Sequence, residues 1–107
     1  MTRFLILWHS NPVAPWPMNP DEYLKLEERM WAGMDNLMRQ GMVKEFGYFA
    51  DGRSGYSIGE GQTADVYRTV HMFMPWVEFE VHEIIPYEDG KKIVRDVCAL
   101  LKAAAQR

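Results

Sequence analysis

Glu78, Glu80 and His82 alternate along one short stretch of the sequence and form its best candidate set for moving a proton. In an extended strand residues two apart project from the same side, so these three share a face while Val77, Phe79 and Val81 share the other. A histidine changes charge near neutral pH. A carboxylate beside it raises and orients the ring, a pairing used in general acid–base transfer next to a carbonyl. His9 ends the first apolar run, and in the topology argued below that run neighbours the Glu78 strand, so His9 approaches Glu78. His82, Glu80 and His9 are therefore the candidate catalytic residues. The same face has a plainer reading, in which charge protects an exposed strand from edge pairing.

Trp8, Tyr48 and Tyr56 are the candidate ligand-binding residues, because rings and hydroxyls suit a small aromatic or enolic ligand in a mostly apolar pocket. Strand aromatics also pack across a sheet without binding anything. Two His and one or two Glu could in principle ligate a metal, but no HxH or HExxH spacing occurs, and no metal is expected. Gly59-Glu-Gly61 lacks the longer dinucleotide spacing and carries Glu60 where an anion would sit, so it reads as a turn and no cofactor is expected. His71 and Tyr67 fall at helical spacing and read as surface or packing residues.

Positioning these residues requires a definite order of elements. Arg3 to Ser10 is apolar on both alternating faces, the mark of a strand covered on both sides. Asn11 to Pro20 holds four of the six prolines and reads as a rigid loop of the kind that borders a pocket. Asn19, Pro20 and Glu22 form a helix start with a capping box, and Tyr23, Leu26, Met30, Met34, Leu37 and Met38 recur at helical spacing until Gly41, giving a helix over Pro20 to Gln40. Val43 to Ala50 and Tyr56 to Glu60 form a hairpin about the turn residues Asp51 to Gly55. Thr63 caps a second, short helix that Pro75 stops. Val77 to Ile85 is the clearest strand, and Asp89 caps a last helix with Ile93, Val97, Leu100 and Ala104 on one face. Cys98, beside that face, reads as a buried small hydrophobe.

The order β-α-β-β-α-β plus a C-terminal helix predicts an α+β, ferredoxin-like domain over residues 1–107, with an antiparallel sheet and both main helices on one face. The other face would carry Leu5 and Leu7, or their alternates on the first strand, beside Phe46, Tyr48, Tyr56 and Ile58, a larger apolar patch than soluble monomers usually leave bare. A second copy of the sheet is the simplest cover, so a homodimer or larger homo-oligomer is expected.

With 107 residues, 48% hydrophobic content, four Trp and eight Met, the chain has apolar area enough to fold without staples. A single cysteine excludes an internal disulfide framework and suits a reducing, cytoplasmic interior. The first apolar run is too short for a signal peptide or a membrane span, so no membrane partner is expected. A net charge of −3 weighs against nucleic acid. Lys44 to Phe49 mimics the aromatic signature of RNA-binding sheets, yet a further strand separates it from the second helix, where that module would not have one.

Gly55-Tyr-Ser-Ile-Gly-Glu-Gly-Gln-Thr-Ala-Asp-Val-Tyr67, running on through Phe73-Met-Pro-Trp-Val-Glu-Phe-Glu-Val81, resembles the muconolactone isomerase family of the dimeric α/β barrel superfamily. The resemblance covers about a third of the chain closely and the rest by element order. It implies two sheets packed face to face across a dimer, with a ligand pocket between sheet and helices or inside the barrel. No catalytic residue carries over: the family's early-strand His and its Trp-Arg pair correspond here to Phe4 and the run Val43 to Phe46. The expected function is thus a small-molecule-binding or small-molecule-converting dimeric barrel protein with isomerase-like proton transfer on a carboxylated or enolic compound. The alternative is a non-catalytic oligomerising or ligand-binding module.

Overall fold

A computed structural model describes residues 2–106. Its central strand, β1 (Thr2–Ser10), pairs antiparallel with β3 (Ser54–Gly61) on one side and β4 (Val77–Ile84) on the other, and β2 (Val43–Tyr48) closes the far edge against β3. Three helices complete the chain: α1 (Pro20–Arg39), α2 (Thr63–His71) and α3 (Tyr87–Ala105). The architecture is α+β, a four-stranded antiparallel sheet with three helices, and it fits the expected ferredoxin-like arrangement.

Helix α1 starts where the sequence says. The Asn19 side-chain oxygen accepts from the backbone N–H of Asp21 at 2.8 Å and of Glu22 at 3.2 Å, satisfying two donors that the first turn leaves free. Glu22 does not complete a capping box; its carboxylate lies 3.6 Å from Lys25 Nζ instead. The helix ends before Gly41, whose φ of 78° lets the backbone turn back so that Met42 N–H reaches the Leu37 carbonyl at 3.1 Å. The other two helix starts differ from expectation. Gln62 precedes α2 and Thr63 is its first helical residue; α3 begins at Tyr87, behind Pro86, with Asp89 already inside the first turn. Proline suits the entry because it has no N–H to leave unpaired there and its φ is already near helical.

Phe4, Ile6 and Val66 form one buried cluster, and Leu37, Val43 and Phe73 another, with Phe46, Val77 and Phe79 packed against the second. Each such side chain taken from water contributes about 1.5–3 kcal/mol. These residues define the sheet's inner face, against α1 and α2. Strand β3 meets it with Gly55, Ser57, Gly59 and Gly61, all buried, and little bulk of its own. A shift in pairing between Val43 and Glu45 inserts Lys44 as an extra residue, so Val43 and Phe46, three apart, both face inward. Tyr48, opposite Gly55, follows Phe46 onto the inner face.

The outer face carries Leu5, Leu7, Tyr56 and Ile58, with Glu78, Glu80 and His82 along β4. Phe46 and Tyr48, expected beside them, lie on the opposite side of the sheet. Tyr56 covers the bare backbone of Gly47, and its hydroxyl donates to Glu45 at 2.8 Å. That bond foremost, then burial and the Glu45 charge, raises the Tyr56 phenol above its ordinary value.

Helix α3 stands apart. No residue of it is buried; Val94, Leu100 and Leu101 are 61%, 71% and 64% exposed. The radius of gyration is 19.2 Å, whereas a compact chain of about 100 residues has about 13 Å, and the long axis of 70 Å exceeds the others of 28 and 24 Å. Cys98 is accordingly exposed, not buried. Among the described residues no helix is long and apolar enough to cross a membrane.

Candidate functional site

Between α1 and the inner face of the sheet lies a cavity of about 90 Å³. Its sheet side is aromatic. Trp8 and Phe46 stack with ring centroids 5.5 Å apart, and Tyr48 meets both edge-on at 5.6 and 5.4 Å. Opposite Trp8 and Tyr48, β3 offers only Gly55, where a Cβ would overlap the Trp8 ring and the Gly47 carbonyl oxygen. The Trp8 indole nitrogen is buried and has no hydrogen-bond partner among the described residues.

The helix side comes from one row of α1. Tyr23, Glu27 and Trp31 are spaced by four residues and so lie above one another; all three line the cavity, together with Met30 and Met34 from the adjoining row. Burial foremost, then the Glu27 charge and a hydrogen bond to it, raises the Tyr23 hydroxyl above its ordinary value. Trp31 Nε1 donates to the Tyr48 hydroxyl at 3.0 Å and so ties helix to sheet beside the opening.

The proline-rich loop closes one end. Asn11 anchors it: its backbone N–H reaches the Trp76 carbonyl at 2.9 Å and its side-chain amide the Pro75 carbonyl at 2.9 Å. Trp16 then packs on Trp76 with centroids 5.1 Å apart, donates Nε1 to the Asn11 carbonyl at 2.7 Å, and lines the cavity. The loop borders a pocket, as its composition suggested.

Of the sequence-derived ligand residues, Trp8 and Tyr48 line this cavity, whereas Tyr56 lies on the outer face. Trp16, Tyr23, Glu27 and Trp31 were not singled out as binding residues. The usable signal was the i, i+4, i+8 row Tyr23-Glu27-Trp31, an aromatic–carboxylate–aromatic series leaving the proline loop.

The candidate catalytic residues are all on the outer face, away from the cavity. His9 faces Glu78 in the β1–β4 register, and its Nε2 donates to the carboxylate at 2.7 Å, the approach anticipated from topology. His82 pairs with Glu80, Nε2 to Oε2 at 3.4 Å, and sits opposite Leu5. His9 and His82 thus head two separate histidine–carboxylate pairs, and about half of each side chain is exposed. Surface pairs of this kind contribute about 0–1 kcal/mol.

No family model and no curated protein matches this chain.

Proposed function

We propose that this chain is a small-molecule-binding protein whose site is the aromatic cavity between α1 and the sheet. The observation that carries this reading is the joint contribution of β1, β2, β4, α1 and the proline loop to one recess, with Gly55 leaving room for the Trp8 ring. Pockets for small ligands are mostly apolar with a few placed polar groups, and here the polar groups are the Glu27 carboxylate and the Tyr23 and Tyr48 hydroxyls. The lining holds no Lys, Arg or His among the described residues, which favours a neutral or cationic ligand over a carboxylated one. Thermal shift against a panel of small aromatic, enolic, lactone and amine compounds tests the reading. A ligand at about one hundred times its dissociation constant adds roughly 2.7 kcal/mol to stability. A compound that raises the melting temperature of the wild type but not of a Trp31→Ala, Tyr48→Ala double variant supports it; no response across the panel sinks it.

A second reading, self-association, rests on the apolar outer face and the uncovered helix α3. Leu5, Leu7 and Ile58, half-buried on one surface, and Val94, Val97, Leu100 and Leu101, exposed on another, are together more apolar area than a monomer ordinarily leaves in contact with water. A homodimer that covers the outer sheet face would enclose His9, Glu78, Glu80 and His82, and proton transfer by these residues belongs to that enclosed space. The resemblance to the muconolactone isomerase family adds the same expectation of sheets facing each other. Loss of turnover in His82→Ala without loss of assembly would mark a chemical role; loss of assembly would mark a structural one.

A further inference from the structure

The cavity's charge pattern says more about its ligand than its shape does. This step rests on the reading of the cavity as a binding site. Among the described lining residues, rings dominate and the only carboxylate is Glu27. Among the described residues, six other carboxylates stand within 4.0 Å of a basic group, and Glu27 is not one of them. Its neighbour is the Tyr23 hydroxyl, a neutral donor. A partly buried carboxylate without a cationic partner loses hydration that a neutral donor only partly restores. An entering cation would restore it.

The rings point to the same charge. The face of an aromatic ring carries negative quadrupole density, and a cation within about 6 Å of its centroid is attracted, most strongly by Trp and most of all where water is excluded. Trp8, Trp16 and Trp31, with Tyr23 and Tyr48, line the same cavity as Glu27. The volume of about 90 Å³ holds a compact group and not an extended ring system. An anion would meet the Glu27 charge with no cation to offset it, and a neutral ligand would use neither the carboxylate nor the quadrupoles.

We propose that the cavity selects a compact organic cation, an alkylated ammonium group whose methyl surface meets the Trp and Tyr rings and whose charge faces Glu27. A small hydroxylated ligand of this kind keeps its uncharged end at the Trp31–Tyr48 opening.

Calorimetric titration with choline, with its uncharged tert-butyl isostere, and with the tert-butyl carboxylate of the same shape tests the proposal. Choline is expected to bind at least about tenfold tighter than the isostere, with no measurable binding of the carboxylate. Glu27→Gln is expected to weaken choline about tenfold and to leave the isostere unchanged, which also shows that the variant folds. Equal affinity for choline and isostere, or no effect of Glu27→Gln on choline, overturns the cation proposal and leaves the binding site standing. Tighter binding of the carboxylate overturns it as well. If none of the three binds, the proposal falls; a silent compound panel in the thermal-shift assay then decides against the pocket itself.

Discussion

Trp31 Nε1 and the Tyr48 hydroxyl are 3.0 Å apart, a single hydrogen bond joining the middle of α1 to the last residue of β2. Trp31→Phe keeps a ring and removes the donor. Tyr48 is 60% exposed and can turn to water, so the loss in urea unfolding should lie near the low end of the usual 0.5–1.5 kcal/mol for such a bond. A loss above about 2 kcal/mol would show that the indole, not its N–H, holds the helix in place.

Two glycines should respond to alanine with opposite sign. Gly33 sits inside α1, where a new Cβ meets only Phe73 ring atoms at 4.0 Å, so Gly33→Ala should stabilise by about 0.5–1 kcal/mol through helix propensity. Gly55→Ala must displace backbone or the Trp8 ring, at a cost of at least the 1–3 kcal/mol typical of overpacking. Denaturant midpoints measured side by side check the pair, and a neutral Gly55→Ala would contradict the packing described for Trp8.

The hairpin turn is pinned by Asp51, whose carboxylate accepts from the backbone N–H of Arg53 at 2.8 Å and of Ser54 at 3.0 Å, and from the Ser54 hydroxyl at 2.7 Å. The backbone bond to Arg53 foremost, then the Ser54 hydroxyl, holds this carboxyl below the usual aspartate range. A lowered folded value means that the contribution is present above the unfolded value, about 3.9, and is lost as pH falls through the folded one. Asp51→Ala should therefore be destabilising at pH 7 and less so at pH 2, read from unfolding curves at the two pH values.

Tyr23 gives the opposite sign at the alkaline end. Its hydroxyl is raised by burial first and by Glu27 next, so its share of stability is present below about 10 and lost as pH rises through the folded value. Following tyrosinate absorbance, Glu27→Gln should lower the pH at which Tyr23 ionises while the burial contribution persists. An unchanged titration would separate Glu27 from Tyr23.

Much of the frame was legible because local signals agreed with one another. The Asn19-Pro20 start and Gly41 end of α1, the alternation of β4 and the approach of His9 to Glu78 all follow from residue type plus chain order. The division of aromatics between faces did not follow. A one-residue change in register moves a whole strand's side chains to the other side, and the extra residue at Lys44 sets which way Phe46 and Tyr48 point while Tyr56 goes the other way. The helix wall of the cavity was missed for a related reason: Tyr23 reads as one more member of an apolar stripe until the sheet shows which row of α1 it faces.

Self-association is tested on α3. Leu100→Lys combined with Leu101→Lys places charge in the middle of its uncovered stripe. Sedimentation at micromolar concentration should give more than one chain mass for the wild type and a single chain for the variant. A wild type that sediments as one chain removes the dimer.

The small residues of β3 have one more consequence, for how the site could be retuned. The Gly55 position admits no side chain beneath Trp8, and a Cβ on Gly59 would already touch the Met42 carbonyl oxygen at 3.4 Å. The backbone at Gly55 is therefore a fixed floor under the aromatic rings. Ligand preference is then rewritten through the side chains that line the cavity, at Trp8, Phe46 and Tyr48 on the sheet and at the α1 positions 23, 27, 30, 31 and 34, over a backbone floor at Gly55 that admits no side chain of its own.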